Sequence, residues 1–205
     1  MATEHLDRLF KDFESYRVTH APSGTPKSLY VPMEYILSLG GKRLRPILTL
    51  AACEAFGGDS QQALAPALGI EVFHNFSLVH DDIMDQAPLR RASETVHIKW
   101  DINTAILSGD ALLVEAYRLI AQVDAEVLPD VLDRFTQTAR RLCEGQQLDM
   151  EFEQRSEVEE AEYLEMIEGK TSVLIGCALA IGARIGGADK DSANAMYDFG
   201  RKLGL

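Results

Sequence analysis

The sequence predicts an all-α fold, an antiparallel helical bundle with no sheet. Apolar residues recur at helical spacing along nearly the whole chain. Strand-like alternation between turn residues is almost absent. Glycine and proline fall in a few clusters, leaving short connections of the kind that join antiparallel helices.

The first helix is expected over roughly Thr3–Tyr16, with Leu6, Leu9, Phe10 and Phe13 on one face. Val18–Lys27, with Pro22, Gly24 and Pro26, reads as a loop. Tyr30–Leu39 forms a short helix closed by Gly40-Gly41. A loop from Lys42 leads into the helix Pro46–Phe56, whose first turn tolerates the proline and whose end is Gly57-Gly58. Asp59 or Ser60 caps a long helix to about Gln86. Pro88, Arg90 and Arg91 lie in a loop, and Ser93 or Thr95 starts a short helix through Trp100. Longer helices follow at Asn103–Val123 and Pro129–Glu153. Glu157–Ile167 and Thr171–Ile185 are a pair broken at Gly169, and after Gly186-Gly187 a last helix runs from near Asp189 past Leu205.

The 205 residues suit one helical domain, residues 1–205, with 46% apolar and 25% charged residues. A net charge of −12 argues against nucleic acid and anionic lipid as partners, since both need a cationic face. Cys53, Cys143 and Cys177 are widely spaced and odd in number, which reads as a reduced, cytoplasmic protein with small core thiols. The opening MATEHLDRLFKDFESY is charged throughout and does not read as a signal peptide. The longest apolar run, Val173–Ala183, is a buried helix, short of the ~20 residues of a membrane span.

The strongest local signal is Asp81-Asp82-Ile83-Met84-Asp85 at the end of a largely apolar helix. Asp81 and Asp85 are four apart and share a helix face, where like charges disfavour the helix unless a cation neutralises them. Mg²⁺ suits such oxygen ligands and often completes its shell with substrate phosphates. Taken alone, the cluster reads equally well as a solvated acidic face. Arg90 and Arg91 follow, and guanidinium recognises phosphate with a planar fork, although an isolated pair is more often ordinary surface. In Gly40-Gly41-Lys42-Arg43-Leu44-Arg45-Pro46, Lys42 and Arg45 bracket a tight turn into a helix, a second place for an anion.

Together GGKRLRP, FHNFSLVHDDIMDQAPLRR, GQQLDMEF and EGKTSVL resemble, in order and spacing, the trans-isoprenyl diphosphate synthase (polyprenyl synthetase) family. The resemblance covers essentially the whole chain. It implies a bundle around a central cavity, a homodimer with Asn103–Val123 as candidate interface, and condensation of isopentenyl diphosphate with an allylic diphosphate. It further implies that Asp81 and Asp85 bind Mg²⁺ against the allylic diphosphate, with Asp82 supporting them and Arg90 holding that diphosphate. Lys42, Arg45, His74 and Arg91 would hold isopentenyl diphosphate. Lys170 and Thr171 would lie by the allylic leaving group, and Gln146 and Asp149 would line the cavity. His80 reads instead as a core or surface histidine.

In this family bulky residues just before the aspartate motif limit product length. Phe76, with Ser77 as a small neighbour, is therefore the expected cavity floor, in an arrangement that resembles geranylgeranyl-forming relatives first and farnesyl-forming ones second. The family also carries a second aspartate-rich motif, which this sequence lacks. The chain is accordingly expected to be a shortened form of a longer protein, impaired in ionising the allylic substrate. Two other readings remain at this point: a terpene cyclase, disfavoured by GGKRLRP, and an inactive partner subunit, disfavoured by the intact first motif.

Overall fold

The structure, a computed structural model, describes residues 2–205 and is helical almost throughout. Its helices are α1 (Ala2–His20), α2 (Lys27–Ser38), α3 (Leu44–Ala55), α4 (Leu64–Met84), α5 (Val96–Lys99), α6 (Ile102–Ile120), α7 (Leu128–Phe152), α8 (Glu160–Ile167), α9 (Val173–Ile185) and α10 (Lys190–Leu203). The all-α expectation holds with one correction, a minimal sheet. Strands β1 (Leu89–Arg90) and β2 (Ser93–Glu94) pair antiparallel, Leu89 opposite Glu94 and Arg90 opposite Ser93. Arg91 and Ala92 join them with φ of 53° and 62°, the doubly left-handed turn that matches hairpin twist. Neither is the usual glycine or asparagine, so no turn signal is visible in these residues.

Two helices form the centre. α4 buries residues on every side from Leu64 to Val79, and α9 buries Val173–Ala183 without a break. α6 packs along α4, while α3 and α10 pack along α9. The α9–α10 approach depends on small residues: a Cβ on Gly200 would sit 2.6 Å from Gly176 Cα. Phe73 anchors the core between α4 and α7, edge-on to Phe135 at 5.1 Å.

Several boundaries differ from expectation. α1 continues through Val18 to His20, where the His20 ring stacks on Tyr16 one turn back at 3.8 Å. α2 starts earlier, directly after Pro26. Asp59 does cap, accepting from Gln61 N, but it caps a 3₁₀ turn, Ser60–Ala63, that precedes α4, and α4 stops at Met84. Asp101 caps α6, which ends at Ile120. α10 is capped by Asp189 and ends at Leu203 with Gly204 as its C-cap.

The largest difference is at Gly169. The helix does not break there but passes through a π turn, Glu168–Ser172, making one continuous run from Glu160 to Ile185. By length and composition this run could cross a membrane, but 78% of its most apolar window is buried inside the fold, as a core helix would be.

Candidate active site

The end of α4 delivers three carboxylates to different surroundings. Asp81 is half-buried, Asp82 is 1% exposed, and Asp85, the C-cap, is exposed. Arg90 reaches back from β1 to Asp82, donating to Oδ1 from Nε at 2.9 Å and from Nη2 at 2.6 Å. Its Nη2 also lies 3.6 Å from Asp81 Oδ2. Burial pushes the Asp82 carboxyl upward, with the Arg90 bonds pulling against that shift. Asp82 therefore ties the hairpin to α4 through Oδ1, while its Oδ2 is buried without a partner. Asp85 is also raised, first by burial and then by the charges of Asp81, Asp149 and Glu153.

The π turn supplies the facing cation. Gly145 of α7 lies directly against it: an added Cβ would be 2.4 Å from Lys170 N and 2.6 Å from the Gly169 carbonyl carbon. This backbone contact brings Lys170 to Asp149, one turn beyond Gly145, with Nζ donating to Oδ2 at 2.5 Å. Nζ is also 3.3 Å from Asp81 Oδ1. Burial opposes the ammonium charge, but Asp149 and Asp81 outweigh it and raise the Lys170 pKa. A π turn of this kind is frequent at functional sites because it displaces one side chain from the helical register.

At the other end, Arg45 and His74 face the same space. Arg45 Nε is buried without an acceptor, and burial lowers the Arg45 pKa, with Arg91 adding to the effect and Glu71 opposing it. Burial, then the charges of Arg45, Arg91, Arg90 and Arg43, hold His74 well below the usual histidine range, so it stays neutral. The hairpin sends its two arginines apart. Arg90 goes to Asp82, while Arg91 lies over Gly41, whose Cβ position is 3.3 Å from its guanidinium carbon, and donates to Leu39 O at 2.9 Å.

Between the two ends is a cavity of about 280 Å³ walled by α4, α7, the π turn and the start of α9. Arg45, His74, Phe76, Ser77 and Asp81 line it from one side; Gln146, Lys170 and Thr171 line it from the other. Leu142, Met84, Met150 and Leu174 make the wall predominantly apolar. Lys42, Asp82, Asp85, Arg90, Arg91 and Asp149 are not in the lining; they stand around it. Lys42 is exposed on the loop before α3. The Phe76 ring, 9% exposed, is wedged between Phe73 at 5.4 Å and His80 at 4.9 Å. Ser77 turns its hydroxyl back to His74 O at 2.8 Å, so it adds little bulk.

Two readings are corrected here. His80 is neither core nor plain surface: it lines the cavity, with Nε2 3.3 Å from Ile106 O. Its ring fits α6 only because Gly109 has no side chain; a Cβ there would lie 2.3 Å from His80 Nε2. Cys53 and Cys177 are buried thiols, but Cys143 is exposed and also lines the cavity.

Among the described residues no three His, Cys, Asp or Glu side chains converge on a closed metal cage. The donors fit an open hard-cation site nonetheless. Asp81 Oδ1 is buried, with Lys170 Nζ at 3.3 Å but no well-formed hydrogen bond, and Asp85 stands one helical turn away on the same face. Carboxylate oxygens with room for further oxygen ligands suit Mg²⁺ beside a phosphate group.

The family model described as polyprenyl synthetase matches residues 26–205. A geranylgeranyl diphosphate synthase of Methanosarcina mazei is 44% identical over 186 residues, covering 90% of this chain and 57% of that protein. A crystal structure of a geranylgeranyl pyrophosphate synthase superposes with a TM-score of 0.95 at 50% identity, covering 97% of this chain and 61% of the other. A polyprenyl synthase from Caulobacter crescentus, solved with calcium and isoprenyl diphosphate, superposes with a TM-score of 0.89 at 28% identity, covering 98% of this chain and 60% of that one. The chain thus spans about three fifths of the length of these relatives.

Proposed function

This chain belongs to the polyprenyl synthetase family, and on that premise we propose that the protein joins isopentenyl diphosphate to an allylic diphosphate to make a longer trans-prenyl diphosphate. The allylic substrate is dimethylallyl, geranyl or farnesyl diphosphate; the product is geranylgeranyl diphosphate, with farnesyl diphosphate as the alternative. The observation that carries this reading is one apolar cavity lined by Asp81 and Lys170 at one end and by Arg45 and His74 at the other. One anion can be held for departure while a second is held in reach.

Asp81 and Asp85 would hold Mg²⁺, which supplies charge stabilisation to the departing diphosphate. Lys170 adds positive charge at the same place, with Thr171 beside it and Arg90 behind Asp82. Lys42, Arg45 and Arg91 orient the isopentenyl diphosphate, with neutral His74 able to donate one hydrogen bond without adding charge. The isopentenyl double bond attacks the allylic cation, and the released diphosphate takes the proton lost afterwards. Leu142, Leu174 and Phe76 keep water from the cation, Gln146 lines the cavity, and Asp149 stands beside it holding Lys170. Phe76 is the floor that stops chain growth, with Ser77 leaving room beside it.

The protein is proposed to be a cytoplasmic homodimer. The support for the dimer is α6, which exposes Ile102, Ile106, Leu107 and Val114 on its outer side. The direct test of the reaction is chromatography of products formed by the full-length protein from farnesyl diphosphate and Mg²⁺, with and without isopentenyl diphosphate. A prenyl diphosphate five carbons longer, formed only when isopentenyl diphosphate is present, is expected. A cyclic hydrocarbon formed without it would replace this reading with that of a terpene cyclase.

A further inference from the structure

The loop that carries Lys42 and Arg45 is held from behind by a residue pair that never meets the cavity. Arg43, between the two cations, points the opposite way and is 5% exposed. Its Nη1 donates to Glu71 Oε1 at 2.7 Å and its Nε to Glu14 Oε1 at 3.1 Å. Its Nη2 lies 3.3 Å from both Leu37 O and Leu39 O, at the end of α2. Every nitrogen of the guanidinium is thus spent on α1, α4 or the end of α2. The cost of this inward turn is visible in the backbone: Arg43 has φ 49° and ψ 34°, a left-handed conformation that a non-glycine residue adopts only when held there. Glu71, 3% exposed, sits one turn before His74 on α4.

We propose that Arg43 and Glu71 are positioning residues for isopentenyl diphosphate, fixing the direction of Lys42 and Arg45 and the orientation of Arg91. The inference rests on the reading above that these cations take that substrate. With Arg43 turned inward, Lys42 is turned out beside it and Arg45, in the first turn of α3, faces the cavity. The Leu39 carbonyl receives Arg91 at 2.9 Å and Arg43 at 3.3 Å, so the buried pair and Arg91 share one anchor. The Glu71 charge also acts on both Arg45 and Arg91, yet its Oε1 is committed to Arg43. It lets the arginines gather without filling the place where a substrate anion would bind.

The test separates position from mere stability by using three variants of the full-length protein. Glu71→Gln removes the buried partner charge and leaves Arg43 with Glu14 as its remaining ion-pair partner, so thermal stability should fall. Arg43→Met/Glu71→Leu replaces the pair by apolar residues and should restore stability. Arg43→Lys keeps the charge but loses the fork. In both Glu71→Gln and the double variant the KM for isopentenyl diphosphate should rise at least tenfold. The allylic KM and kcat should change less than threefold, and Arg43→Lys should fall between. A double variant that recovers stability and a wild-type isopentenyl KM together would reduce the pair to a structural brace and overturn the proposal. Equal rises in both KM values would overturn it as well. Wild-type protein that forms no product from isopentenyl diphosphate would instead sink the functional reading beneath it.

Discussion

The two ends of the cavity carry opposite charge and are held in opposite ways. At the acidic end both cations are already engaged, Lys170 with Asp149 and Arg90 with Asp82, yet Asp81, Asp85, Asp149 and Glu153 still crowd together. At the basic end Arg45 and Arg91 gather around a neutral His74, and the nearby buried carboxylate, Glu71, is committed to Arg43. Arg45 Nε has no acceptor at all. The acidic end therefore lacks a cation, and the basic end lacks an anion. A count of charges along the chain shows neither, because a net charge of −12 hides a locally cationic pocket. Pairing shows which ligand each end still needs.

That contrast can be broken most sharply at Asp81. Asp81→Ala in the full-length protein should lower kcat by about 10²–10³, the scale on which single groups that stabilise departing charge act. Both KM values should change little, since the loss is felt in the transition state. Steady-state kinetics that show unchanged turnover would detach Asp81 from the reaction.

The basic end predicts a different signature. Arg45→Ala should raise the isopentenyl KM by about ten- to a hundredfold, the equivalent of one charge-assisted hydrogen bond of about 1.5–3 kcal/mol. Arg90→Ala should raise the allylic KM instead. Equal effects of the two variants on both substrates would erase the distinction between the ends.

The scaffold between the ends predicts smaller changes. Gly145→Ala puts a methyl against backbone that cannot move aside, so α7 and the π turn must part and Lys170 leave Asp149. Overpacking of this kind costs about 1–3 kcal/mol, readable as a lower melting temperature with reduced kcat. Phe76→Ala should lengthen the product by at least one five-carbon unit while metal dependence persists. Chromatography showing the same product would remove Phe76 as the floor.

The smallest effect concerns His74 and pH. Its pKa is held well below 6.5 in the fold, so as pH falls past 6.5 the unfolded chain takes up a proton that the folded chain refuses. Stability should therefore decline with falling pH in that window. His74→Gln, always neutral, should make the decline shallower in melting curves between roughly pH 7.5 and 5.5. A steeper decline would mean that His74 is protonated in the fold.

Most of the fold was legible because local signals and tertiary packing agree: Gly40-Gly41, Gly186-Gly187 and the caps at Asp59 and Asp189 lie at or beside the element boundaries. The π turn was not, because Gly169 disfavours a helix locally while its contact with Gly145, distant in sequence, keeps the helix going. The hairpin was missed because Arg91 and Ala92 adopt positive φ without a glycine. At the site, the carboxylates and the Lys42–Arg45 cluster could be found from type and spacing. Which arginine faces inward could not, since Arg43 is selected by Glu14 and Glu71, respectively 29 and 28 residues away. The cavity-facing His80 depends likewise on Gly109 of a neighbouring helix.

The central claim, that one cavity holds two diphosphates at chemically distinct ends, is tested most directly by calorimetric binding of isopentenyl diphosphate to the full-length protein in EDTA. Binding should persist without metal, survive Asp81→Ala and be lost in Arg45→Ala. Metal-free binding that disappears in Asp81→Ala and remains in Arg45→Ala would contradict the account.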